Sequence, residues 1–234
     1  MIGKTIALLL VSMSLAAGPA AAAPSGPPET WDNLVKAPSK RLQAAYLLPG
    51  ADFRPYTKVM LDPTEVAFAK NWMRDMNDGS ADPLRGQVRD KDAEAIAAEV
   101  RKMVPEVFAK AYANAGYQVV TEPGPDVIRV KASVANLYIN APKPKTEDFR
   151  RVYAVDAGQA TLVLEARDSL TGAVLGRALD RREVEGVQSM PRSTISNRSD
   201  FTELFEEWAK KSIEGMAELK SLSPIDAQGM TAKR

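Results

Sequence analysis

The 234-residue chain contains neither histidine nor cysteine. Without them it has no Ser-His-Asp or Cys-His nucleophile, no zinc site with His or Cys ligands, and no haem or iron–sulfur cluster bound through those side chains. The phosphate-binding loops GxGxxG and GxxxxGKS/T are also missing, as is a Ser-x-x-Lys arrangement. These absences predict a chain with no catalytic residue, no metal and no cofactor, and they favour a protein that is not an enzyme.

The first 23 residues have the three parts of a secretory signal. Lys4 supplies the positive start, residues 6–15 are apolar, and residues 21–23 are small, which predicts cleavage near Ala23. The apolar stretch is interrupted and too weak for a spanning helix, which needs roughly 20 strongly apolar residues. An uncleaved anchor is the alternative. We therefore expect a periplasmic protein with no membrane attachment after cleavage.

After removal of the predicted signal, basic and acidic side chains are equal in number. Loss of Lys4 with the signal leaves 30 basic side chains against 30 acidic ones, so no field that attracts nucleic acid is expected. The apolar share of 45% and the charged share of 26% are typical of a globular chain. We predict one domain over residues 31–222, with a flexible leader at 24–30 and a disordered tail at 223–234. No feature of the sequence sets an oligomeric state.

Two amphipathic helices are predicted. The first runs from Asp90 to Gly116, with Pro105 inside it placed to kink or split it. The second starts at Asp200 as its N-cap, with Glu203 at the capping-box position. The predicted buried stripes are Ile96, Val100, Val104, Phe108 and Tyr112 in the first helix, and Phe201, Leu204, Phe205, Trp208, Ile213 and Met216 in the second.

Between these helices the apolar period becomes two, which predicts strands. Residues 126–139 alternate, and a change of parity near Asn136 indicates a bulge. Residues 160–166 and 173–184 fit a hairpin whose turn ends at Gly172, a residue that tolerates positive φ. Strands joined by a tight turn are antiparallel. We therefore predict an α+β fold, with a mainly antiparallel sheet and two principal helices packed on it.

Other segments leave alternatives open. Residues 63–73 fit either a strand or a helix that begins at Pro63 with Asp62 as its cap. Two polar stretches, residues 140–158 and 185–199, exceed the usual length of a connection and have no assigned role.

Few side chains are candidates for a site. Trp31, just after the leader, is the candidate surface anchor for a sugar or peptide, whereas Trp208 falls on a helix stripe and is expected in the core. Residues 75–82 carry oxygen ligands suited to calcium but lack the glycine of an EF-hand loop, which favours an ordinary turn. In the hairpin, placing Arg167 opposite Ala173 predicts a surface ion pair between Glu165 and the diagonal Arg177.

Three segments carry a resemblance to a known family. They are WDNLVKAPSKRLQAAYLLPGADFRPYTKVMLDPTEVAFAKNWMRD at 31–75, ARDSLTGAVLGRALDRRE at 166–183 and FEEWAKK at 205–211. Together they resemble the domain of unknown function 3313 family of bacterial envelope proteins. The resemblance implies a small α+β domain and no catalytic residue. Its members are mostly lipoproteins, and this chain differs because it lacks the cysteine that would carry the lipid.

Three functions remain in competition. The first is a non-catalytic periplasmic accessory that binds an envelope protein partner, with exposed strand edges available to a second chain. The second is a glycan or small-ligand binding module that uses Trp31 and the two long loops. The third is a carboxylate-dependent cell-wall hydrolase, which needs two acids about 5–9 Å apart; no spacing among the 30 carboxylates singles out such a pair.

Overall fold

The computed structural model describes residues 30–78, 87–140, 156–185 and 194–226. Its elements are β1 (Thr30–Trp31), β2 (Leu34–Ala37), β3 (Ala44–Leu47), β4 (Lys58–Leu61), β5 (Val66–Phe68), α1 (Trp72–Asp78), α2 (Asp90–Asn114), β6 (Gln118–Val119), β7 (Val127–Ile139), β8 (Asp156–Asp168), β9 (Val174–Glu185) and α3 (Thr194–Leu222). The predicted signal and residues 24–29 of the predicted leader lie outside the described residues, whereas Thr30, the last residue of that leader, belongs to β1.

All the described strands join one sheet in the order β1-β2-β3-β9-β8-β7-β4-β6, and β5 pairs beside β4 along β7. In this spatial order the five neighbouring pairs from β1 to β7, which are β1–β2, β2–β3, β3–β9, β9–β8 and β8–β7, are antiparallel. The pairs β4–β6, β4–β7 and β5–β7 are parallel. This confirms the α+β prediction of a mainly antiparallel sheet. Two long helices, α2 and α3, pack on it, and a third helix, α1, has only 7 residues.

Helix α2 follows its predicted stripe. Val104 and Phe108 are each 1% exposed, and Gly116 follows the helix with a φ of +88°. Pro105 removes one backbone hydrogen bond inside the helix. The predicted split does not occur, because α2 continues through Pro105 as one element of 25 residues.

Helix α3 corrects the predicted start of the second helix. It begins at Thr194, so Asp200 lies inside it and is not its N-cap. The spacing of three between Asp200 and Glu203 occurs within helices as well as at caps, which explains the error. Trp208 is completely buried, as predicted.

The open segments at residues 63–73 and in the long loops are now partly assigned. The helix alternative at Pro63 is wrong: the chain forms β5, and α1 begins only at Trp72. Asp62 accepts hydrogen bonds from Arg129 at 2.7 and 3.0 Å instead of capping a helix. Strands β8 and β9 and helix α3 shorten both predicted loops; residues 141–155 and 186–193 lie outside the described part of the chain.

The bulge near Asn136 is confirmed. Asn136 has a φ of +49°, and the pairing of β7 with β8 shifts between Ala135 and Tyr138. A second shift separates the pairs Ala166–Gly176 and Arg167–Val174, which leaves Leu175 as the extra residue on β9. The predicted hairpin is correct, but its predicted register is wrong, because Arg167 pairs with Val174 rather than Ala173 and the bulge at Leu175 adds a further residue.

The pairing of Arg167 with Val174 and the bulge each move the register by one residue, so Arg177 lies directly opposite Glu165 rather than on the diagonal. The two side chains are joined at 2.7 Å and are only 13% and 14% exposed, so the predicted ion pair exists but is largely covered. Burial alone would raise the pKa of Glu165, but hydrogen bonds from Arg167 and Arg177 outweigh it and hold the pKa below its ordinary value.

The sheet carries apolar residues on both faces. The main core lies between the sheet and the helices and includes Phe53, Val59, Tyr112, Leu162 and Trp208. A second, small cluster on the outer face contains Leu34, Ala44 and Tyr46. Strands β1 to β3, which form this outer cluster, are too short to show a clear period in the sequence.

The predicted tail begins as ordered chain. Ile225 is 3% exposed, and its backbone exchanges hydrogen bonds with Gly50 and Ala51 at 2.8 and 2.9 Å. Residues 227–234 of that predicted tail lie outside the described residues.

Candidate functional site: a cavity beneath helix α3

An apolar cavity of about 370 Å³ lies between the sheet and the C-terminal half of α3. Its floor comes from β3, β7, β8 and β9, one side comes from the segment that joins β2 to β3, and its roof runs along α3 from Lys211 to Leu222. Phe53 and Tyr112 complete the wall. A concave, mostly apolar space with few polar groups is the usual form of a small-ligand site.

Small residues leave this space open. On the sheet side the lining contains Ala37, Ala45, Ala166, Gly176 and Ala178. A Cβ at Gly176 would come within 3.1 Å of Leu47 Cδ2 and 3.2 Å of the Tyr46 carbonyl oxygen, so this position leaves little room for a side chain. On the helix side, a Cβ at Gly215 would meet no atom within 4 Å. Side chains of the sheet and of α3 therefore leave part of the space between them unfilled.

The polar atoms deep in the cavity satisfy each other. The Tyr112 hydroxyl and Ser212 Oγ are 2.7 Å apart and share a hydrogen bond, and both residues are buried. Burial raises the pKa of Tyr112 to about 12, despite the opposing effect of that bond. Because the pair is neutral and mutually satisfied, the inner wall offers no charged group to a ligand.

A buried carboxylate links α3, which forms the roof of the cavity, to the sheet, which forms its floor. Asp180 on β9 is 3% exposed. Its carboxylate accepts hydrogen bonds from the indole nitrogen of Trp208 at 3.0 Å and from the Gln43 backbone nitrogen at 3.2 Å. Arg182 and Lys211 add ion pairs at 2.8 and 3.4 Å. The Asp180 side chain thus connects β9 both to α3 and to the residue just before β3. These contacts fix the distance between α3 and the sheet.

The rim of the cavity carries charged side chains of both signs. The segment between β2 and β3 contributes Lys40 and Arg41 to the lining, and α3 contributes Glu218. Arg41 donates from Nε to Glu214 at 3.2 Å and from Nη1 to Glu218, which ties this segment to α3. Lys40 is exposed and makes no ion pair in the part of the chain that the structure describes.

Trp31, the candidate surface anchor, lies elsewhere. It sits on β1 on the outer face of the sheet, with its ring edge-on to Tyr46 at 5.6 Å between centroids. The guanidinium carbon of Arg177 stands 4.9 Å from the centre of the Trp31 ring, and Arg177 also pairs with Asp32. Trp31 is therefore half-buried and partly covered by a cation, and the sheet separates it from the cavity.

The remaining sequence candidates do not converge on the cavity. Asp75, Asn77 and Asp78 of the acidic stretch belong to α1, and residues 79–82 fall outside the described chain. In the described ranges, no group of three Asp or Glu residues is arranged to hold a metal ion. Nor is any helix within those ranges long and apolar enough to cross a membrane.

Sequence reasoning did not identify the cavity residues Lys40, Arg41, Lys211 and Gly215. One signal was available: Gly215 interrupts the interior of an amphipathic helix at a cost of about 1 kcal/mol relative to alanine, which calls for a packing or functional reason.

These features define an α+β domain with an apolar cavity under its last helix. The family model described as "Protein of unknown function (DUF3313)" matches residues 24–212, so the chain belongs to the DUF3313 family. This confirms the resemblance drawn from the sequence. No curated protein matches the chain.

Several solved structures are similar to parts of this chain. A PelC L103M dodecamer from Paraburkholderia phytofirmans is 13% identical, with a TM-score of 0.38 over 74% of this chain and 97% of that one. Protein XCC0632 from Xanthomonas campestris, of family DUF330, is 10% identical, with a TM-score of 0.41 over 79% and 92%. A DUF4136 family protein from Bacteroides thetaiotaomicron is 9% identical, with a TM-score of 0.27 over 81% and 98%. At these scores and identities, the likenesses carry no argument about what this chain does.

Proposed function

We propose that this chain is an exported, non-catalytic binding protein of the bacterial envelope that holds a small apolar ligand in the cavity beneath α3. The cavity itself carries the proposal: it is an apolar space within the range of about 300–1,000 Å³ that small-ligand sites occupy. Its two inner hydroxyl groups are hydrogen-bonded to each other, and a hydrocarbon ligand would leave that bond intact.

The lining favours binding over hydrolysis. Among the described residues that line the cavity, Glu218 is the only acid, and it is engaged by Arg41. A glycoside hydrolase of the usual kind needs two carboxyl groups that face one substrate. The cavity therefore supports the small-ligand hypothesis better than the cell-wall hydrolase hypothesis.

The geometry also weakens one argument for a protein partner. The described sheet ends in β1 and β6, and each of these edge strands has only two residues. Very short edge strands offer few backbone groups to an added chain. A partner in the envelope stays a prediction, and crosslinking in intact cells followed by mass spectrometry tests it: a recurrent partner supports an accessory role, and monomer alone under several chemistries contradicts it.

A fluorescence titration tests the ligand site. The purified mature protein is titrated with N-phenyl-1-naphthylamine, an uncharged dye whose emission rises in apolar surroundings. Wild type is expected to give a saturable rise. Gly215→Leu places a side chain in the open space under α3 and should abolish the rise, whereas Ala217→Leu, which places a leucine on the exposed side of α3, should not.

Two results would contradict the proposal. One is no saturable binding to wild type; the other is equal loss of binding in both leucine variants. Leucine is a better helix former than glycine, so Gly215→Leu is expected to fold, and circular dichroism checks this. Export is tested separately, because the N-terminus of the protein recovered from the periplasmic fraction should begin at Pro24.

A further inference from the structure

We propose that the ligand of this cavity is a single-chain amphiphile with an anionic head, its hydrocarbon chain under α3 and its head at Lys40 and Arg41. This inference rests on the proposed function, because it names the class of ligand for the same site. It combines two independent features, the shape of the apolar space and the charge of its rim.

The shape fits one chain. The lining residues on α3 run from Lys211 to Leu222, which at a rise of 1.5 Å per residue spans about 16 Å of helix. A lining that follows one helix over this length suits an extended, unbranched hydrocarbon chain better than a compact fused ring system.

The volume is large enough to matter energetically. It exceeds twice the roughly 150 Å³ of an engineered apolar cavity that stays dry and binds benzene. Burial of each methylene group of a chain contributes about 0.8 kcal/mol. A medium-length chain therefore has enough contact with Leu42, Leu47, Met216 and Leu219 to bind without any polar anchor deep in the wall.

The charged residues at the rim of the cavity favour an anionic head group on the ligand. Lys40 and Arg41 follow one another in the segment between β2 and β3, and Lys40 has no ion pair among the described residues. Arg41 uses Nε and Nη1 for Glu214 and Glu218, which leaves donors of the guanidinium fork for a second anion. Its two glutamate partners hold it in place.

The other charges of the lining do not compete for the head. Lys211 is occupied by Asp180 and Glu207. The guanidinium of Arg177 pairs with Asp32 and Glu165 on the outer face of the sheet. Glu214 and Glu218 would repel an anion, and Arg41, which pairs with both, offsets one of their two negative charges. The unpaired charge at the rim is therefore the ammonium group of Lys40, which favours a carboxylate or phosphate head.

A displacement assay with matched twelve-carbon compounds tests this inference. Dodecanoate, dodecyl phosphate, dodecanol and dodecyltrimethylammonium are each used, below their micelle concentrations, to displace N-phenyl-1-naphthylamine from the mature protein. At least one anion is expected to bind roughly tenfold tighter than dodecanol, because a hydrogen bond to a charged group is worth about that factor or more. The two anions separate a carboxylate head from a phosphate head.

Variants assign the head to the rim. Lys40→Gln combined with Arg41→Gln should bring the affinity for the preferred anion down to that of dodecanol and leave dodecanol unchanged. Lys91→Gln, which removes an exposed lysine outside the cavity, should change neither. Lys40→Arg, which keeps the charge, should retain the preference.

The outcomes separate the two proposals. If dodecanol or the cationic amphiphile binds as tightly as either anion, or if the double glutamine variant keeps the anion preference, the inference about the head is wrong while the ligand site stands. If neither the dye nor any twelve-carbon compound binds wild type, the proposed function fails as well.

Discussion

Replacement of Asp180 by alanine is the most direct test of how α3 is held over the cavity. The carboxylate is 3% exposed and is the acceptor for the completely buried Trp208 indole. Without it, the indole N–H and the Gln43 backbone N–H lose a partner, and Lys211 keeps only its pair with Glu207. Removal of one member of a buried charged cluster costs about 3–5 kcal/mol.

That cost should be readily measured. For a domain of about 200 residues, each kcal/mol shifts the melting temperature by about 2–4 °C, so Asp180→Ala should lower it by roughly 6–20 °C. Urea unfolding followed by far-ultraviolet circular dichroism gives the free energy of unfolding directly. Asp52→Ala is the control, because within the described part of the chain Asp52 forms a surface ion pair with Arg54 alone, and we expect it to change little.

A double-mutant cycle isolates the central contact. Asp180→Asn keeps the shape and one acceptor oxygen and should lose less than alanine does. Trp208→Phe removes the indole donor, and its effect should be non-additive with Asp180→Ala because the two residues share a hydrogen bond. A loss under about 1 kcal/mol for Asp180→Ala, or strict additivity in the cycle, would refute the role assigned to this carboxylate.

Other predictions test single features of the molecule. Gly215→Ala should raise the free energy of unfolding by up to about 1 kcal/mol in urea titrations, since the new methyl group meets no atom within 4 Å; destabilisation would mean that the space is not open. Tyr112→Phe should lower it by about 1 kcal/mol, because Ser212 loses its buried partner; an unchanged urea midpoint would contradict the bond. The pKa of Glu165 is lower in the folded protein than in the unfolded chain, so as the pH falls the unfolded chain takes up this proton at a higher pH. The contribution of Glu165 to the free energy of unfolding is therefore present above about pH 4.5 and is lost as pH falls through the lower folded value. Glu165→Gln should flatten the acid limb of a stability–pH curve, and an unchanged limb would count against the pairing. Trp31→Ala should leave dye binding intact, because the sheet separates Trp31 from the cavity, whereas a thermal shift with a cell-wall sugar that this variant abolishes would restore the surface-anchor hypothesis.

Several elements could be predicted from the sequence because their signals are local. The stripe from Val100 to Tyr112 repeats along one helix, and the turn at Gly172 lies between two alternating runs, so each pattern is complete within a short window. The parity change near Asn136 likewise indicated a bulge from neighbouring residues alone. The family, too, was recognised from contiguous segments.

Other elements depended on contacts between distant parts of the chain. The register of the hairpin differs from the prediction because the turn pairs Arg167 with Val174 and because Leu175 bulges out of β9. Helix α3 begins at Thr194, upstream of the Asp200–Glu203 spacing, which occurs both at caps and within helices. Strands β1 to β3 are short, and their pairing with each other and with β9 gives them a place in the sheet.

The amino-acid sequence by itself determined the inventory of this protein: no histidine or cysteine chemistry, balanced charge after the predicted signal, and helices and strands with a buried face. Only the tertiary structure decided where a ligand could lie. The cavity exists because small residues from four strands line it together with Gly215 of α3, and Asp180 meets Gln43 across 137 residues of sequence to hold the helix over the sheet. Such a space is a property of surfaces that meet only after the chain has folded, so no local pattern of residues encodes it.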